Sequence, residues 1–323
     1  MTNYIAPISW GLGDLIVSLP AVQSLIATGQ PTYLVTRHSL QTGLSSRITG
    51  IAGEVSESAL KDIRLGPADR YFNLREHPLQ TDYFWGSPEF SESFPSYKID
   101  DILSRIANDL GLECDFGRLQ PLAYNHDNRV TDAVLLIPGS DGQYKWWPTA
   151  NWLEIFQCLK ERGIRSYVIG QPESCPAVKE LLSRGIPWIE TATLSDAVDA
   201  ISSAQAVLAV DTGLMHLSVN QGIPTVALYR PDPIYIRHHD HVVAITGGLC
   251  AADCLRNLYG STVNQFTEFI DFAPRTWDCN QPLEARCMAS ISVESVIDAL
   301  GQLRITTSQD SKIAARTRTA PER

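Results

Sequence analysis

Short apolar runs alternate with amphipathic stretches along most of this chain. Residues 4–8 are apolar and strand-like, and 10–13 (Trp10, Gly11, Leu12, Gly13) read as a turn. Residues 14–27 then carry Leu15, Leu19, Val22 and Ile26 at helical spacing. A β-branched and aromatic run at 32–36 predicts the next strand. Residues 83–95, with Phe84, Trp85, Pro88, Phe90, Phe94 and Pro95, read as an aromatic, proline-rich loop. A helical period resumes over 99–110, and 113–128 has no clear period. The alternation is plainer in the second half. Strands are predicted at 133–137, 166–169, 187–189, 206–210 and 225–228, and helices at 151–161, 177–182, 194–201, 213–220 and 293–303. Apolar strands alternating with amphipathic helices give a parallel sheet covered on both faces. The pattern therefore predicts an α/β protein built from two copies of one architecture with a cleft between them. The expected units are 1–128, 129–304 and a basic, aperiodic tail at 305–323.

Composition narrows the partners more than the fold. The 323 residues are 44% hydrophobic and 19% charged, as in a globular protein. The longest apolar runs are strand-sized, well short of the roughly 20 residues of a membrane helix. No signal-like segment follows Met1, so a cytoplasmic chain with at most peripheral membrane contact is expected. The formal charge of −10 argues against a nucleic-acid partner.

Parallel α/β sheets bind ligands at the carboxyl ends of their strands, beside helix starts. Three loops there carry chemistry. The first places Gly13 and Asp14 at a helix start. Asp suits an N-cap, and a carboxylate there is also able to act as a base toward a hydroxyl. The second, residues 138–148, offers Ser140 and Lys145 to a phosphate, although its spacing is not that of a Walker loop. The third sets Asp211, Thr212 and Gly213 at a strand-to-helix junction with His216 one turn in, again an anion-binding arrangement.

The order of these motifs resembles glycosyltransferase family nine, which contains the ADP-heptose:lipopolysaccharide heptosyltransferases. The resemblance rests on Gly13-Asp14-Leu15-Ile16-Val17-Ser18-Leu19-Pro20-Ala21, Pro138-Gly139-Ser140 with Lys145-Trp146-Trp147-Pro148, Gly170-Gln171-Pro172-Glu173, and Asp211-Thr212-Gly213-Leu214-Met215-His216. It implies a GT-B fold: two Rossmann-like domains, the first binding the acceptor and the second the nucleotide sugar. It implies Asp14 as general base of an inverting, metal-independent transfer. Ser140, Lys145, Thr212, Gly213 and His216 would grip the diphosphate, with Asp211 near the donor sugar. Glu173 would lie near the ribose and the backbone of Ala192 at the nucleobase edge. ADP-heptose is the donor the resemblance favours; a glycan, a lipid-linked sugar or a protein is the acceptor. The chain departs from the family pattern at Ile137, Gln171, Arg230 and Asp232.

Cys250, Cys254, Cys279 and Cys287 form a candidate four-thiolate set, although their spacing is looser than that of a zinc ribbon. Some relatives of the family hold iron in this part of the chain, so a structural iron or zinc is the group implied, and reduced cysteines are the alternative. No cofactor is expected for the transfer itself. Two other functions compete: a non-catalytic scaffold that binds a nucleotide sugar, and a nucleotide-sugar epimerase. The epimerase lacks a second acid, and Asp14 argues against the scaffold.

Overall fold

The computed structural model describes residues 1–9, 11–36, 43–83, 85, 88–140, 145–230, 233–248 and 286–303. The first lobe contains β1 (Asn3–Ala6), α1 (Leu12–Ile26), β2 (Thr32–Thr36), β3 (Gly53–Ser56), α2 (Glu57–Asp62), β4 (Arg70–Asn73), α3 (Pro78–Thr81), α4 (Pro88–Ser93) and α5 (Ile99–Asp109). The second contains β5 (Ala133–Ile137), α6 (Thr149–Glu161), β6 (Arg165–Val168), α7 (Pro176–Ser183), α8 (Leu194–Ser203), β7 (Ala206–Val210), α9 (Gly213–Asn220), β8 (Thr225–Tyr229), β9 (Val242–Thr246), α10 (Arg286–Ala289) and α11 (Val293–Gln302).

Every strand pair is parallel. The first sheet runs β3-β2-β1-β4 and the second β6-β5-β7-β8-β9. Each sheet therefore reverses its strand order once, between β1 and β4 and between β5 and β7. Crevices open at such switch points, outside the carboxyl ends of the strands. The loops after β1, β4, β5 and β7 are thus the places where this topology puts a ligand.

The continuously apolar strands are the ones legible from pattern. β5, β7 and β8 are buried along their whole length, as expected of strands covered on both faces. The strands missing from the pattern lie at sheet edges: β3 and β4 are half-polar, and β3, β4 and β9 are all partly exposed. The strand expected at 187–189 is only a bridge between Trp188 and Val168; Pro187 has no N–H with which to extend the ladder. The expected loop at 83–95 contains α4, and its rings pack together: Phe94 lies 5.2 Å from Tyr83, 5.1 Å from Phe90 and 5.3 Å from Tyr97.

One apolar core cluster runs through both lobes, from Ile5 on β1 to Tyr229 on β8. A second fills the far side of the second sheet, where Trp147 and Trp152 meet edge to face at 5.3 Å. The segment joining the lobes is held by side chains of α8 and α9. Asn220 exchanges two hydrogen bonds with the backbone of Gln120, and Gln221 two with that of Leu122. Ser203 accepts from the Asp127 N–H, and Asp199 from the Asn125 N–H. Arg47 of the first lobe reaches the same place, pairing with Asp199 at 2.9 Å.

Candidate active site

Both switch points supply a helix start, and the two starts abut. α1 begins one residue beyond Gly11, so Gly13 and Asp14 lie inside its first turn. Asp14 is therefore not the N-cap. Its Oδ2 reaches back to accept the Gly11 N–H at 2.8 Å, as the third residue of a capping box does. The Ser18 hydroxyl donates to the Asp14 carbonyl at 2.6 Å and accepts the Ile8 N–H at 3.1 Å, tying the β1–α1 loop to the helix. α9 begins with Gly213 directly after β7. A Cβ on Gly213 would come within 2.8 Å of the Leu12 Cβ and 2.9 Å of the Gly13 nitrogen. A Cβ on Gly13 would meet the His216 ring at 3.0 Å. Only hydrogen at both positions lets the two backbones come this close.

Around that contact the structure gathers residues from four loops. Lys145, after β5, places Nζ 2.7 Å from Asp211 Oδ2. His216 Nε2 lies 3.5 Å from Asp211 Oδ1. Asp211 and His216 are both buried, and His216 Nδ1 has no hydrogen-bond partner among the described residues. Burial alone would raise the Asp211 carboxyl. Lys145 and His216 reverse that effect and hold it well below the ordinary carboxylate range. Asp14 shifts the other way. Burial raises its carboxyl, and the Gly11 N–H with the charges of His216, Lys145 and Arg75 offset this only in part. Arg75, directly after β4, is anchored by Glu57 at 3.4 Å and by the Ser9 carbonyl at 3.3 Å. The sequence reading missed Arg75; its place after β4 is a signal only once the strand order is known.

Ser140 is partly exposed, and its carbonyl accepts the Trp146 indole N–H at 2.8 Å, which pins the loop after β5. Thr212 is the N-cap of α9, with no side-chain cap bond. Lys145 was expected as a diphosphate ligand; in the structure its ammonium is engaged with Asp211. Glu173 and Ala192 are exposed, on the loops that precede α7 and α8. Gln171 joins those two loops by donating to the Thr191 carbonyl at 3.0 Å.

The thiolate set is tested only at one position. Cys250, Cys254 and Cys279 lie outside the described residues, as does the tail at 305–323. Cys287, on α10, is buried in the apolar core of the second lobe. No group of three or more metal-ligating side chains occurs among the described residues. None of the described helices is long and apolar enough to cross a membrane.

Comparison with known proteins agrees with this architecture. Lipopolysaccharide heptosyltransferase 1 of Pseudomonas aeruginosa is 30% identical over 104 residues, 30% of this chain and 28% of that protein. The Escherichia coli protein of the same name is 32% identical over 33% of this chain and 35% of its own length. The matched stretch thus spans about a third of these relatives. Among solved structures, E. coli heptosyltransferase WaaC with ADP-2-deoxy-2-fluoro heptose superposes at a TM-score of 0.63 and 14% identity, covering 94% of this chain and 99% of that one. E. coli ADP-heptose lps heptosyltransferase II does so at 0.63 and 16%, covering 94% and 98%. The iron-containing dodecameric glycosyltransferase TibC from enterotoxigenic E. coli also reaches 0.63 at 16%, covering 94% and 76%. These likenesses show a GT-B fold of two Rossmann-like lobes. The sequence model of glycosyltransferase family 9 (heptosyltransferase) matches residues 70–246, a stretch that begins after α1. That stretch is more than half of the 323 residues, and the chain belongs to glycosyltransferase family 9.

Proposed function

We propose that this protein transfers a heptose from ADP-heptose to an acceptor hydroxyl with inversion, and that Asp14 is the general base. The observation that carries the reading is the opposed state of two carboxylates at abutting helix starts. Asp14 is raised and unpaired by any direct ion pair among the described residues, whereas Asp211 is clamped between Lys145 and His216. A carboxylate with a raised pKa is a better base than an ordinary one. Asp14 takes the hydroxyl proton, the oxygen attacks the anomeric carbon in line, and the nucleoside diphosphate departs. Lys145, His216 and the first N–H groups of α9 meet the charge on the leaving group. Asp211 orients Lys145 and His216 for that task. In this assignment residues 1–128 bring the acceptor and 129–304 the donor, with Ser140 and Thr212 beside the diphosphate and Glu173 and Ala192 toward the nucleoside.

Two relatives support the donor. One structural neighbour holds an ADP-heptose analogue, and TibC has been solved with ADP-D-beta-D-heptose. TibC is also described as iron-containing. The cysteines at 250, 254, 279 and 287 are where such an ion would be held, as a structural element apart from the transfer.

Calorimetric titration with ADP, UDP and GDP in parallel, without added metal, tests the donor site. Binding of ADP alone is the expected result, with Lys145→Ala weakening it. Binding of UDP or GDP in its place would change the donor. Failure of all three would favour a scaffold.

A further inference from the structure

The segment after β8 crosses to the first lobe. Ile234 and Ile236 are buried in the core cluster that both lobes share. The residues between and beyond them meet the first lobe. The Tyr235 ring lies 6.4 Å from that of Trp85, and Arg237 Nε lies 3.6 Å from Asp100 Oδ1 on α5. Arg237 is only 4% exposed, yet its Nε and Nη1 have no hydrogen-bond partner among the described residues. Its Nη2 lies 3.3 Å from His239 Nε2. A buried guanidinium with unmade donors is costly, and 3.6 Å is beyond hydrogen-bond length. The carboxylate paired with Arg237 belongs to the opposite lobe. The Asp100 side chain is partly exposed, and burial raises its carboxyl while Arg237 opposes that shift.

Asp100 also lies within electrostatic reach of His216.

We propose that the Asp100–Arg237 ion pair is a latch that holds the two lobes together in the unliganded protein. Both are positioning residues. Their bearing on catalysis rests on the function proposed above; the latch itself does not.

The test compares wild type, Asp100→Asn, Arg237→Gln and the charge-exchanged D100R/R237D protein. Small-angle X-ray scattering is recorded without ligand and with saturating ADP, and ADP affinity is measured by calorimetry. Both single variants are expected to have a larger radius of gyration than wild type without ligand. Their ADP affinity should stay within about threefold of wild type. The exchanged pair should restore compactness. Radii equal to wild type in both single variants would overturn the latch. So would loss of ADP binding in R237Q but not D100N, which would make Arg237 a direct ligand. If wild type itself fails to bind ADP, the proposed donor site fails, and the unliganded radii still decide the latch. If R237Q does not fold, D100N, which keeps the size and shape of the side chain, carries the comparison.

Discussion

Two aspartates stand at the starts of two touching helices, and the protein treats them oppositely. Asp211 follows β7 and is buried between Lys145 at 2.7 Å and His216 at 3.5 Å, which keep it ionised far below the usual range. Asp14 sits in the first turn of α1. It accepts one backbone N–H and feels three cationic groups from a distance, and burial prevails to raise its carboxyl. Separating two neighbouring carboxylates in this way assigns them different tasks. Asp211 anchors cations, and in the function proposed above Asp14 is the base. The same contrast holds for stability. A depressed carboxyl stabilises the fold above its unfolded pKa, and that contribution is lost as pH falls through the folded value. A raised carboxyl works the other way: its favourable contribution is present at low pH and is lost as pH rises through the folded value. Asp211 and Asp14 thus contribute to stability with opposite pH dependence.

Exchanging each side chain for its amide should separate the two roles. Asp14→Asn has the largest expected effect, a loss of about 10³-fold in kcat. Its urea stability should be unchanged or slightly higher and its ADP affinity unchanged. A variant that lost stability instead would make Asp14 a capping residue, and the contrast would collapse. Asp211→Asn should cost about 3 kcal/mol in urea denaturation, because it leaves Lys145 and His216 facing a neutral group. An Asp211→Asn protein as stable as wild type would show that the clamp is not an anchor. Gly213→Ala should cost about 2 kcal/mol, since the methyl group runs into Leu12 and the Gly13 nitrogen. Because it parts the helix starts, turnover should fall with stability. Unchanged turnover would mean the two carboxylates need not be so close.

Much of this was open to reading in the chain itself, and the boundary of what was legible has physical causes. The central strands β5, β7 and β8 are buried on both faces, so their residues form unbroken apolar runs that pattern finds directly. Edge strands such as β3 and β4 bury only part of their surface and look like loops. Asp14, Lys145, Asp211 and His216 were found because strand-to-helix loops are where parallel sheets bind ligands. Their pairing was not, since nothing local links Lys145 to Asp211 across 66 positions of chain. Arg75, Asp100 and Arg237 were silent for the same reason. Each matters through a partner that strand order or lobe contact supplies, and neither is encoded within a short window of sequence. Reading Asp14 as either cap or base was half resolved. It does complete a capping box, as the third residue of the turn and not as the cap.

The most direct test of Asp14 as base is the pH dependence of kcat/KM for ADP-heptose in the wild-type protein. The expected profile has an acid limb whose midpoint lies above the ordinary carboxylate value of about 4. The rate should fall below that midpoint as Asp14 takes up its proton, while the protein is still folded. A rate that stays level through the carboxylate range, down to the pH at which the protein unfolds, would contradict the assignment of Asp14 as the base.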